Sequence, residues 1–183
     1  YMINRTDFRF SKDFWFSAFG HIESEFQFSH VWNQAPFTML ILPNANLSYT
    51  IQEGSYSLLS PMEFVLDSYA SWDITYFANG ILFNRIPGVK LLRIREVVSF
   101  KGFFGNLSDK NNPYLTNLNP DLWRFPGENV VHEMNPRRPY MELGVGLDNI
   151  FKILRIEYVW RLTYREHKDV AKGGVRIALH FSF

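Results

Sequence analysis

Hydrophobic and polar residues alternate with a period of two along most of the chain, and the pattern is clearest near its end. From Val175 to Phe183 every odd position is apolar, whereas the even positions are polar or small and include Arg176 and His180. Successive side chains of a β-strand point to opposite faces, so this alternation predicts a strand with one apolar and one polar face. Because helical periodicity is almost absent, the chain is predicted to be all-β.

The alternation predicts eight strands, joined in chain order as an antiparallel meander. Many are longer than the roughly five or six residues usual in soluble sheets, and a tilted crossing of a bilayer takes about 9 to 11 residues. A turn is expected at Ser11-Lys12-Asp13, and Asn106 to Pro139 is the longest predicted loop. The predicted strands are Met2 to Phe10, Phe14 to Phe28, a short one near Leu47, Tyr49 and Ile51, Phe64 to Tyr76, Leu91 to Phe104, Met141 to Leu147, Leu154 to Tyr164, and Val175 to Phe183.

The composition of the two strand faces favours a membrane barrel over a soluble sandwich, although both folds alternate. The apolar faces carry large aromatic residues near strand ends, as in the aromatic girdles of outer-membrane barrels. We therefore expect these faces to contact lipid. The residues predicted to face lipid are Leu154, Ile156, Tyr158, Trp160, Leu162, Ile177, Leu179 and Phe181.

The polar faces carry seven arginines and seven carboxylates at mid-strand positions. Arginine offers a planar fork of donors to carboxylates, so a balanced lining predicts a lumen cross-linked by ion pairs. An ion-selective pore is expected to show one sign of charge in excess. The predicted lumen network comprises Arg155, Glu157, Arg161, Arg176, Glu142, Asp67, Asp73, Arg93 and Arg95.

Composition and charge narrow the remaining function classes. The chain has 183 residues, of which 17% are aromatic, and a formal charge of +1, which argues against a nucleic-acid surface built on net charge. Without cysteine there is no disulfide, thiolate metal site or cysteine nucleophile. The longest apolar run, Met39 to Leu42, is too short for a transmembrane helix. No signal-peptide pattern stands at the start, so we expect any signal peptide to lie outside this chain.

No catalytic, cofactor-binding or metal-ligating residue is predicted. His132-Glu133 begins a zinc-protease motif, but the second histidine of that motif would stand where the chain has Pro136. The five histidines lie on separate segments without ligand spacing. Asp67 and Asp73, six residues apart on one predicted strand, would be about 20 Å apart, too far for a pair of glycosidase carboxylates. We therefore expect neither enzymatic activity nor a cofactor.

Two resemblances agree with the barrel interpretation. The end of the chain, with apolar residues at every second position up to Phe181 and Phe183, resembles the C-terminal signal of bacterial outer-membrane barrels. Longer stretches resemble the C-terminal barrel of a Bacteroidota outer-membrane family of unknown function, the carboxypeptidase-like regulatory-domain-containing proteins, and the last two strands are more distantly similar to BamA-type surface-antigen barrels. The stretches that carry the family resemblance are Ala35 to Leu40, Met62 to Tyr69, Asn79 to Pro87, Arg93 to Val97, Pro139 to Lys152, and Trp160 to Tyr164.

This family resemblance implies a signal peptide, a periplasmic domain and further strands upstream. The sequence thus predicts that residues 1–183 form the C-terminal portion of one larger barrel in the bacterial outer membrane. Strand Met2 to Phe10 is expected not to pair with Val175 to Phe183, because the charged lining needs more room than eight strands enclose. The expected partners are membrane lipid, upstream strands of the same barrel, and outer-membrane proteins or lipoproteins, but not nucleic acid.

The function predicted is that of a non-enzymatic component with a structural or assembly role, within a larger envelope complex. Two alternatives stay open at this point. A transport or secretion pore would need an open lumen and a movable plug. A soluble β-sandwich binding domain would need its apolar faces buried against another layer.

Overall fold

In the computed structural model the chain is all-β, and it contains no α-helix among the residues that the structure describes, which are 3–87, 92–115, 117, 119–126, 131–168 and 170–179. Seven strands form one sheet in the order β1-β2-β3-β4-β5-β6-β7, and each strand pairs antiparallel with the next. The strands are β1 (Arg5–Trp15), β2 (His21–Val31), β3 (Ser68–Phe77), β4 (Arg95–Asn106), β5 (Tyr140–Ile150), β6 (Leu154–Arg161) and β7 (Gly173–Leu179).

The sheet is open, with β1 and β7 as its two edges. Across the described residues β1 pairs only with β2, and β7 pairs within the sheet only with β6. The expectation that the first and last strands do not pair is therefore confirmed for the described part of both. β1 and β7 therefore do not close the sheet into a barrel by pairing with each other.

The two faces of the sheet have opposite chemical character, and from β3 to β7 the polar face is the more buried one. On β6, the side chains of Glu157 and Arg161 are 3% and 1% exposed, whereas those of Tyr158 and Trp160 are 41% and 40% exposed. Leu162, Ile177 and Leu179 lie on the exposed apolar side as well, while Leu154 and Ile156 are partly buried. Phe181 and Phe183 lie outside the described residues.

Residues 32–67, which connect β2 to β3, fold onto the polar face, and we call them the inner segment. Phe125 and Met134, from the loop 107–139, join them there. The hydrophobic core lies between the sheet and these two segments, and inward aromatic rings of the sheet reach into it. Its members are Val31, Ala35, Leu40, Ile41, Tyr56, Leu59, Phe64, Val65, Leu66, Tyr69, Phe103, Phe125, Met134, Tyr140 and Tyr164.

The prediction of eight strands is wrong by one, and the predicted first turn is also wrong. β1 runs unbroken through Ser11-Lys12-Asp13 to Trp15, because Ser11 and Asp13 keep the polar parity of the strand and face Glu25 and Glu23 of β2. The chain reverses instead at residues 16–20, where Gly20 has φ of +99°. A backbone in that region favours glycine, which is why the turn forms there.

Three other predicted strand regions are also corrected. Residues 47–51 form no strand of the sheet, although Thr50 makes an isolated parallel bridge to Ile177. Residues 64–67 belong to the inner segment, where Leu66 bridges Ile41, and β3 begins only at Ser68. β4 begins at Arg95, because Arg93 has φ of +50° and lies in a turn. Leu91 lies outside the described residues.

Two glycines in β5 let β6 side chains lie across the polar face. A Cβ atom on Gly144 would stand 2.2 Å from Ser99 Oγ, and one on Gly146 would stand 2.1 Å from the backbone oxygen of Ile156 and 2.5 Å from Glu157 Cγ. Any larger residue at these positions would collide with its neighbours. The absence of side chains at Gly144 and Gly146 therefore makes room for Glu157.

The two glycines should differ in their tolerance of alanine. We expect Gly146→Ala to lower the free energy of unfolding by about 1 to 3 kcal/mol, because a backbone carbonyl cannot move aside. Gly144→Ala should cost less, since its nearest neighbour is a serine hydroxyl that can rotate. Denaturant unfolding of both variants in detergent measures the difference, and a larger loss for Gly144→Ala would contradict this assignment.

Candidate functional site

The most elaborate polar arrangement lies where β5, β6 and β7 contact residues 57–63 of the inner segment. We call it the polar clamp and define it as Glu142, Arg161, Arg176 and Glu63. Three of these side chains come from inward positions of adjacent strands, and Glu63 comes from the inner segment. All four are buried, at 8% exposure or less. The clamp therefore fastens the inner segment to the wall of the sheet.

Glu142 accepts hydrogen bonds from the backbone of the inner segment and is not paired with an arginine among the described ion pairs. Its two carboxylate oxygens accept the N–H groups of Ser57 and Leu58 at 2.9 Å and 2.7 Å. The hydroxyl of Tyr140 donates to it at 2.6 Å. The prediction of an arginine partner for Glu142 is thus wrong, because the inner segment supplies donors that sequence periodicity did not reveal.

Arg161 pairs with Glu63, and this pair is almost wholly buried. Its Nη1 donates to Glu63 Oε2 at 3.0 Å and to the backbone oxygen of Leu58 at 3.2 Å, and its Nη2 donates to Glu63 Oε1. Nε donates to the backbone oxygen of Thr163 at 3.0 Å, and the guanidinium lies 4.8 Å from the centre of the Tyr140 ring. Every N–H-bearing nitrogen of this buried guanidinium therefore has an acceptor.

Two histidines extend the clamp at Glu63. His167 Nδ1 lies 2.8 Å from Glu63 Oε1, and the His132 ring stacks on His167 with 3.9 Å between ring centres. Burial raises the pKa of Glu63, but hydrogen bonds from Arg161 and His167 outweigh it, so the pKa lies below its ordinary value. Burial, with help from His167, lowers the pKa of His132. Both histidines lie in loops at one end of the sheet.

Arg176 on β7 is the one clamp cation without an ion pair among the described residues. Its Nη2 donates to the backbone oxygen of Ser57, and its Nη1 donates to the backbone oxygen of Val175 at 2.9 Å. Its buried Nε has no hydrogen-bond partner. Glu157 stands opposite Arg176 in the strand register but pairs with Arg155 instead.

A second polar group lies farther along the same face of the sheet. Arg155 Nε donates to Glu157 Oε1 at 2.9 Å, and its guanidinium lies 4.9 Å from the centre of the Phe77 ring on β3. Lys101 on β4 pairs with Asp73 on β3 at 2.7 Å. The structure thus brings Arg155 to Glu157 and gives Asp73 a lysine partner that was not among the predicted residues.

Three predicted network residues lie outside both groups. Asp67 precedes β3 and accepts hydrogen bonds from Ser108 and from Asn111 Nδ2, the latter at 2.9 Å, so it ties the loop 107–139 to the inner segment. Arg93 and Arg95 are exposed at the start of β4 and form no ion pair among the described residues. The turn at Arg93 removes both side chains from the mid-strand positions assigned to them.

Sequence reasoning missed Glu63, Tyr140 and Lys101. Lys101 carried a usable signal, because it shares the inward parity of Ser99 on β4 and stands opposite Asp73 in the register. Glu63 carried none, since residues 57–63 do not alternate. Tyr140 lies two residues before Glu142 on one strand face, and its own residue type gives no indication of the hydroxyl's role.

Neither other chemical features nor comparisons with known proteins assign a function to the polar clamp. Among the described residues, no group of three or more His, Cys, Asp or Glu is arranged to hold a metal ion. None of the helices in that part of the chain is long and apolar enough to cross a bilayer. No family model, curated protein or solved structure matches the chain. The arrangement can anchor the inner segment to the sheet.

Removing the carboxylate of Glu63 should destabilise the protein strongly. Glu63→Gln leaves Arg161 buried without its ion-pair partner, which costs about 3 to 5 kcal/mol in the free energy of unfolding. The matched control is Glu166→Gln, which breaks the exposed pair with Arg138 and should change stability little. Denaturant midpoints of the two variants measure the difference, and equal effects would contradict a structural role for the clamp.

Stability should fall in two stages as the pH is lowered. The pKa of His132 is lower in the folded protein than its ordinary value of 6.5, so protonation favours the unfolded chain as pH falls below that value. The pKa of Glu63 is also lowered, from an ordinary value of 4.5, so its contribution is lost as pH falls further. Unfolding measured against pH should show both stages. His132→Gln should remove only the first, and a profile unchanged by that variant would refute the assignment.

Proposed function

We propose that this chain forms part of the wall of a bacterial outer-membrane β-barrel and acts as a non-enzymatic structural or assembly component. The single observation that supports this proposal is the inverted polarity of the sheet. Its exposed face is apolar and aromatic, and its covered face carries the buried charges. A lipid bilayer is the solvent in which an exposed apolar face is favourable.

The apolar face is continuous across the sheet, and this favours a membrane over water. One row of side chains, paired strand by strand, contains no polar residue. A soluble sandwich would bury such a row against a second layer, but the core residues that the inner segment and loop 107–139 contribute lie on the opposite face. The members of the row are Phe14, Ile22, Tyr76, Val98, Val145, Tyr158 and Val175.

The filled inner face supports a structural role over an open pore. The inner segment buries Tyr56, Leu59 and Phe64 against inward rings of the sheet, and the polar clamp fixes its backbone. A conducting lumen would need this packing and these hydrogen bonds to be released together. Within the proposal, membrane lipid and further strands of the same barrel are the immediate partners, and outer-membrane proteins or lipoproteins are partners in a larger complex.

Two neighbouring positions on β2 test the membrane assignment. Phe26, at the middle of the strand, is 44% exposed on the apolar face, and the adjacent Gln27 points inward near Glu25 and Asp73. Phe26→Arg should make folding into a bilayer less favourable by about 2 to 4 kcal/mol. Gln27→Arg should be milder, because the new charge stays on the polar face, near Glu25 and Asp73 as well as Arg9 and Lys101.

The measurement is refolding into phospholipid vesicles, followed by denaturant titration of each variant. In water an exposed arginine is at least as favourable as an exposed phenylalanine, so a soluble protein would tolerate Phe26→Arg. Equal tolerance of the two substitutions would therefore overturn the membrane proposal.

A further inference from the structure

The two edges of the sheet differ in their contacts with the rest of the chain. Both faces of β1 are exposed along all eleven residues of the strand. The outer edge of β7 is instead contacted by the inner segment. Ile177 N–H donates to the backbone oxygen of Tyr49 at 2.9 Å, and Ile51 N–H donates to the backbone oxygen of Ile177 at 2.8 Å. The inner segment therefore occupies the middle of the β7 edge.

The pairing at this edge is short and of the opposite kind from the rest of the sheet. Thr50 pairs with Ile177 in a single parallel bridge, whereas every strand pair in the sheet is antiparallel. Parallel pairing is slightly less stable per residue than antiparallel pairing. Tyr49 is 80% exposed and Leu47 is 79% exposed, so little packing supports the contact beyond the Arg176 guanidinium, which lies 5.9 Å from the centre of the Tyr49 ring. A full antiparallel strand would make more hydrogen bonds at the same edge.

Beside this edge lies a cleft of about 430 Å³, and Arg176 is in its wall. Arg176 is buried, with only 8% of the residue exposed. Its Nε has no partner, and it forms no ion pair with any described carboxylate. A buried cation without a carboxylate is unfavourable. The other walls are Leu47, Ser57, Leu59, Pro61, Gly174 and their neighbours, which include no acidic residue.

The direction of the strands limits what can complete the sheet. With seven antiparallel strands in chain order, β1 and β7 run in the same direction. An antiparallel closure therefore needs an odd number of additional strands. A second copy in the same membrane orientation would place its β1 parallel to this β7, so a copy of this chain does not meet the requirement.

We propose that the outer edge of β7 is the seam at which a further strand, antiparallel to β7, displaces Tyr49–Ile51 and presents a carboxylate to Arg176. This inference rests on the proposed barrel function. It adds one property of the strand that pairs with β7, namely a carboxylate side chain that faces Arg176. Because Ile177 directs its N–H and C=O to this edge, the neighbouring Arg176 stands at a non-hydrogen-bonded position, where facing side chains approach most closely. A Glu or Asp there reaches the unpartnered Nε.

The test uses two synthetic nine-residue strands in which apolar and polar residues alternate. They carry a fluorophore and differ only in the central polar residue, Glu in one and Gln in the other. Fluorescence anisotropy with the detergent-folded protein gives both dissociation constants. The Glu peptide should bind at least about tenfold more tightly, as expected for one charge-assisted contact. Arg176→Met should abolish this preference, and Arg176→Lys should retain part of it.

A reversible lock tests the location. The chain has no cysteine, so Thr50→Cys with Ile177→Cys introduces one pair at bridged positions, about 4.7 to 4.9 Å apart in Cα, within the range that disulfides span. The oxidised variant should lose binding of both peptides, and reduction should restore it. The reduced form of the same protein is the matched control.

Two outcomes would contradict the proposal. Equal dissociation constants for the two peptides would overturn the carboxylate requirement, and binding that survives the oxidised lock would overturn the β7 seam. If Phe26→Arg is tolerated while lock-sensitive binding of the Glu peptide persists, the membrane assignment fails and the seam stands.

Discussion

The ion pair between Arg161 and Glu63 is the interaction on which the inner face of the sheet depends. A guanidinium at 1% exposure is tolerated only when its charge and its donors are all compensated. Glu63 supplies the opposite charge, and the backbone oxygens of Leu58 and Thr163 supply further acceptors. Two of these groups, Glu63 and Leu58, belong to the inner segment. The segment must therefore fold onto the sheet to compensate the buried charge of Arg161.

This dependence explains why the chain places hydrophobic packing and buried charge on the same side. The aromatic rings of Tyr56, Phe64 and Tyr140 exclude water from the clamp, and low local polarity strengthens each hydrogen bond within it. Glu142 illustrates the result, because it compensates its burial by accepting two backbone N–H groups of the inner segment. Packing and polar contacts therefore stabilise the same segment.

Alternation along the strands predicted the sheet, its meander order and the opposite character of its faces, because side-chain direction in a strand depends only on parity. For this reason Glu157 and Tyr158 could be assigned to different faces from the sequence. Residues 57–63 of the inner segment have no such periodicity, so the partners of Arg161 and Glu142 could not be found. A positive φ at Arg93 likewise has no signature in the pattern and moved the start of β4.

The exposure of β1 on both faces has a kinetic consequence. Apart from Trp32, whose indole N–H donates to Thr6 Oγ1, neither the inner segment nor another layer covers the backbone hydrogen bonds of β1 to β2. Those of β5 and β6 lie under the clamp. Local opening requires little free energy where few contacts cover the backbone. Amide protons should therefore exchange fastest in β1 and slowest around β6. The clamped end is then the part of the sheet that opens least often, and β1 is the part that opens most often.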